Sequence, residues 1–181
     1  MWPFAKNLFQ LILAPARGWE DISATDSSFE NLVRKGYIPL VIIAALSEFI
    51  PLAYVGTLTF LEALESCIAI GGGLFASLFA ARLLLDVTLK RYIDPDLSDA
   101  KIANLALYLL GLDCYYRIFA NILPASLTFL SFLPLISIIV LFKSTTYMGI
   151  GEDRAINYLI ITFTGVVALP LIICKLLSII I

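Results

Sequence analysis

The chain has no histidine. The commonest general acid–base side chain and the commonest metal ligand are both missing, so serine–histidine chemistry of rhomboid type is excluded. Charge is scarce as well: 14% of the 181 residues are Asp, Glu, Lys or Arg, where a soluble domain carries roughly 25%. No basic run could track a phosphate backbone and the net charge is −2, so nucleic acid is not an expected partner. Cys67, Cys114 and Cys174 each lie inside an apolar stretch, without the short spacing of zinc ligands. They read as small buried hydrophobes, and neither a metal nor a cofactor is expected.

What is present in quantity is apolar: 61% of the residues. Stretches of about 20 apolar residues match the roughly 30 Å hydrocarbon core of a bilayer. The pattern predicts an all-α integral membrane bundle of five transmembrane helices, with spans at about 37–58, 61–85, 102–123, 125–148 and 155–179. Breaks between them are Asp94-Pro95 in the polar stretch 90–101, Pro124, and Gly149 with Gly151 before Glu152-Asp153-Arg154. Ser27 and Glu30 have the spacing of a capping box ahead of the first span.

Residues 1–35 form an N-terminal segment and 36–181 the transmembrane domain. The short patch Leu8 to Ala14, interrupted by Gln10, makes a poor signal peptide. Phe4, Leu8, Leu11 and Ile12 recur at helical spacing opposite Lys6, Asn7 and Gln10, with Trp19 nearby as a headgroup anchor. The expectation is a short amphipathic helix lying in the cytoplasmic headgroup region, its apolar face in the acyl boundary. The alternative is that this face docks onto the bundle itself.

Orientation follows from the basic residues, which favour cytoplasmic loops. Ten of the twelve fall on one side of the five-span arrangement, leaving Arg117 and Lys175. The N-terminus is then cytoplasmic and the C-terminus outside. Gly71, Gly72, Gly73 and Ala76 supply a small face for close packing in span two. Glu48, expected near the centre of span one, and Asp113 with Arg117 one turn apart on span three, form the costliest group. Each charge at mid-bilayer costs about 2.5 to 3.5 kcal/mol, so the three are expected to face one another or a wet cavity. Arg82 and Asp86 repeat the four-residue pairing near the end of span two.

Leu8-Phe9, Pro15 and Trp19-Glu20-Asp21-Ile22 before span one, Leu107-Tyr108 in span three, Pro124, and Tyr147-Met148-Gly149-Ile150-Gly151 with Ala155 before span five together resemble the Yip1 family of small polytopic membrane proteins. The resemblance covers nearly the whole chain through short motifs. It implies a non-enzymatic five-span protein, similar to eukaryotic members linked to Rab GTPases and vesicle traffic. Those members carry a long cytoplasmic region before the first span. Here about 35 residues precede it, so the chain looks more like compact bacterial members, which implies a bacterial inner membrane and puts GTPase binding in doubt.

Two functions are open. One is a membrane scaffold or adaptor that organises lipid or partner proteins, itself included, with no turnover. The other is a transporter or channel component that conducts an ion or small solute past Glu48, Asp113 and Arg117. A lipid-acting enzyme using Asp and Glu is the weaker third reading; Gly111-Leu112-Asp113 lacks the second glycine of the Gly-x-Gly-Asp found in intramembrane aspartyl proteases.

Overall fold

The computed structural model describes residues 2–24, 28–123 and 133–180. Every regular element among the described residues is helical. Two short helices come first, α1 (Trp2–Leu13) and α2 (Pro15–Ala24). Pro15 opens α2, where its missing N–H costs nothing. Then follow α3 (Phe29–Ala53), α4 (Phe60–Tyr92), α5 (Asp99–Ile122), α6 (Leu133–Met148) and α7 (Glu152–Ile180). Ser27 and the expected start of span four, residues 125–132, lie outside the described residues.

Three helices, α3, α4 and α7, are long and apolar enough to cross a membrane. The apolar part of α6, Ile136–Met148, is shorter. Helix α4 has 33 residues, about 50 Å at 1.5 Å each, and so outruns the hydrocarbon core and the expected span. Its start is set by Thr59, whose hydroxyl accepts from the Glu62 N–H while the Glu62 carboxylate accepts from the Thr59 N–H, a capping box.

The less apolar α5 is the centre of the bundle. Between Ile102 and Cys114 every residue is buried except Asn104 and Asp113, and α1, α3, α4, α6 and α7 all pack against it. A helix wrapped by protein needs no lipid-compatible surface, which explains how it tolerates Asn104, Asp113 and Arg117. Outward faces are apolar instead: Phe79, Leu83, Ile156, Ile160 and Ile179 are all more than half exposed.

Helix α3 departs from the expected span at both ends. It starts at Phe29 and passes through a π turn at Val33–Tyr37, and its α-helical part stops at Ser47. Pro51 then sits in a 3-10 turn, Ile50–Ala53. A second π turn, Thr164–Ala168, interrupts α7. Each π turn places a glycine under a foreign side chain. A Cβ on Gly36 would lie 2.5 Å from Phe4 Cγ, and one on Gly165 3.0 Å from Leu85 Cδ2.

Within the glycine run of α4, Gly73 is buried and Gly71 half-buried, while Gly72 is exposed. A Cβ on Gly73 would meet Cys174 Sγ at 2.4 Å, which lets α7 approach, and one on Gly71 would meet Ala45 at 3.2 Å. Ala76 is exposed and stands outside this contact. Ala69 and Ser77, four residues either side of Gly73, are buried and complete the small face, as i and i±4 share one side of a helix.

Candidate functional site

The bundle has two dissimilar ends. At the first lie the start of α5, the end of α6, and the loop before α5, which is tied to α7 by the Arg154 guanidinium donating to the Ile93 carbonyl. Lys101 Nζ donates to the Tyr147 carbonyl at 3.2 Å, which fixes α5 against α6 here. Lys90, Arg91, Lys101, Lys143 and Arg154 all gather at this end.

Helices α1 and α2 pack onto the same region. Phe4, Leu8 and Leu11 are buried in the protein core, with Phe4 4.9 Å from the Tyr108 ring and Leu8 lying over Gly111. The expected lipid-facing face is therefore turned onto the bundle, and the docked alternative is the arrangement found. Asn7, expected on the polar side, is buried and donates to Tyr108 Oη at 3.2 Å. Phe9 and Leu13 are large apolar residues of α1 that stay exposed, and Ile12 is half-buried against the core. Bilayer lipid already solvates an apolar face, so burial alone does not favour docking; close packing at Gly36 and Gly111 and the Asn7 hydrogen bond do.

Trp19 is likewise a packing residue and not a headgroup anchor. It is buried, its indole N–H donates to the Val140 carbonyl at 2.9 Å, and its ring stacks on Tyr147 at 4.9 Å. Trp19, Tyr108 and Tyr147, from three different helices, thus meet in one aromatic cluster. Comparison with family models, with curated proteins and with solved structures finds no match to the chain.

Among the described residues no ion pair joins Glu48 to Asp113 or Arg117. Asp113 and Arg117 pair, Nε to Oδ2 at 3.4 Å. Glu48 instead sits at the C-terminal cap of the α-helical part of α3, and accepts from Asn121 Nδ2 at 3.0 Å. Asn121 lies eight residues beyond Asp113, about 12 Å further along α5. It also donates to Ser47 Oγ, while Tyr54 Oη donates to its carbonyl. This polar knot forms the second end. Sequence reading missed Asn121 because nothing in a run of apolar residues shows which neighbour an amide will face.

Beside Asp113 lies a cavity of about 350 Å³. Its walls are apolar, among them Leu109, Ile138, Phe163 and Val166, and its polar groups are Asp113, Tyr116 and Ser137. Ser137 Oγ donates to Tyr116 Oη at 3.2 Å. The last predicted pair is also rearranged: Asp86 pairs with Lys90 at 2.7 Å, while Arg82 lies over the Phe29 ring at 4.6 Å. Lys90 also reaches Asp99, and this hydrogen bond holds the Asp99 carboxyl below its ordinary range.

Proposed function

We propose that the chain is a five-span integral membrane protein of Yip1 type that works as a scaffold or adaptor, without turnover, organising lipid or partner proteins at the end of the bundle carrying α1 and α2. The observation behind this reading is the docking of the N-terminal helices onto α5, through Asn7, Trp19 and Tyr108, and onto α6, through Trp19 with Val140 and Tyr147. That joint makes the α1–α2 hairpin a rigid platform on the membrane domain. Asp113 is engaged by Arg117, and Glu48, at the second end of the bundle, by Asn121.

On this reading α5 and α6 complete the set of spans, and the end carrying most Lys and Arg faces the cytoplasm of a bacterial inner membrane. Reporter fusions test it. A fusion after Ile181 reads outside and one near Pro95 reads cytoplasmic; the opposite result for either breaks the five-span topology.

The cavity beside Asp113 favours a second reading, passage of a small solute or ion through the bundle. Flux in liposomes separates the two. No flux, with Asp113→Asn unchanged from the parent, supports the scaffold; flux lost in Asp113→Asn supports a conduit.

A further inference from the structure

One cleft at the basic end is not used by the helix joint. It encloses about 340 Å³ and is lined by Ala16, Glu20 and Ser23 of α2, Lys101 of α5, and Lys143 and Thr146 of α6, with the Trp19–Tyr147 stack as its wall. Among the described residues neither Lys101 nor Lys143 forms an ion pair. Their recorded partners are the Tyr147 carbonyl and ring for Lys101 and the Phe142 ring, 5.8 Å away, for Lys143. Two ammonium groups and one carboxylate therefore open on one cleft.

Helix α6 adds a direction. Ile139, Phe142, Lys143 and Thr146 recur at spacings of three and four, so they share one face. Ile139 and Phe142 are both 54% exposed and lie on the side of Lys143 away from the helix end. An outward apolar strip leads from the middle of α6 to a cationic, hydroxyl-bearing cleft at its end. That order of groups along a membrane helix, with aromatics and snorkelling lysines at headgroup level, matches a phospholipid lying along it.

We infer that this cleft binds the headgroup of an amine-bearing glycerophospholipid: its phosphate sits between Lys101 and Lys143, its ammonium meets Glu20, and an acyl chain follows Phe142 and Ile139. The inference rests on the chain being embedded in a membrane, and it names the lipid for the scaffold. All three cleft charges then have a partner. An anionic lipid without the amine would leave Glu20 facing a phosphate, and a diacylglycerol would leave both ammonium groups unused.

Native mass spectrometry of the full chain in detergent, with phosphatidylethanolamine, phosphatidylglycerol or diacylglycerol of matched acyl chains, tests this. The parent should retain phosphatidylethanolamine best and diacylglycerol least. Lys101→Gln with Lys143→Gln should weaken retention of both phospholipids by about 25-fold, from two ammonium groups each worth about fivefold. Arginine at both positions should restore it, and Glu20→Gln should abolish the preference for ethanolamine over glycerol. Equal retention of all three lipids, glutamine variants that bind like the parent, or arginine variants that fail like the glutamine ones would overturn the inference. So would displacement of the lipid by inorganic phosphate, which would assign the cleft to the free anion. Carbonate extraction of cell membranes reports separately on membrane embedding, so a chain that resists extraction yet ignores phospholipid loses only the cleft assignment.

Discussion

The two ends of the bundle solve the same problem with different chemistry. Both must hold together helices that are distant in sequence. At the end carrying α1 and α2 this is done by large surfaces, with the Trp19 ring on Tyr147 and Phe4 on Tyr108, and by single hydrogen bonds from Asn7 and Trp19. At the other, one residue, Asn121, reaches Ser47 and Glu48 with its side-chain amide and accepts from Tyr54 at its backbone carbonyl. The first joint is spread over many contacts and the second is concentrated on one residue, so they should fail differently.

Trp19→Ala tests the spread joint at its largest member. Removing a buried Trp costs about 3 to 5 kcal/mol, and α1 should become accessible, read as maleimide labelling of a cysteine placed at Leu8. A labelling rate unchanged from the Trp19 parent would show that the hairpin does not depend on the stack. Gly36→Ala comes next, because the added Cβ must push Phe4 aside, an overpacking that costs about 1 to 3 kcal/mol. Its thermal unfolding should fall, and Phe4→Ala in the same chain should recover part of the loss. Recovery absent altogether would place the strain elsewhere.

At the concentrated end, Asn121→Leu removes the hydrogen bonds to Ser47 and Glu48 together, at about 1 to 3 kcal/mol for the partners left without a donor. Adding Glu48→Gln should cost little more, since the two side chains act as one unit. Additive losses would dissolve the knot into independent contacts. The smallest effect is expected from pH. The Asp99 carboxyl titrates below its ordinary range because Lys90 donates to it, so its contribution is present above the unfolded carboxyl range and lost as pH falls through the folded value. Asp99 is exposed, and thermal unfolding of Asp99→Asn should match the parent at low pH and lie slightly below it at neutral pH. A gap that widens on acidification would contradict that assignment.

The same contrast shows what the sequence could convey. Breaks at Asp94-Pro95 and Gly149 located α5, the end of α6 and α7 within about three residues, while α3 at both ends and α4 at its C-terminal end overran or fell short of their expected bounds by five to eight, and Gly149 has the positive φ of 74° that ends α6. The Asp113–Arg117 pair was legible because both groups lie on one helix. Partners on different helices were not: Glu48 was matched to Asp113 by estimated depth and instead meets Asn121, eight residues further along α5. The amphipathic face of α1 was legible as a face, but apolar residues alone do not distinguish a lipid surface from a protein one. Thr59 and Glu62 were a readable capping box that went unread.

The two π turns bear on how this chain can change length. Each is an α-helix carrying one residue more than its hydrogen-bond pattern needs, at Val33–Tyr37 and Thr164–Ala168. Loss of one residue from either turn would leave an ordinary α-helix in place of a broken one. Because a π turn absorbs its extra residue locally, the flanks on either side would keep their faces through that loss, and Tyr37 could keep its hydrogen bond to the Leu74 carbonyl. The turns are thus places where a single codon can be lost while the packed helix on either side stays where it is.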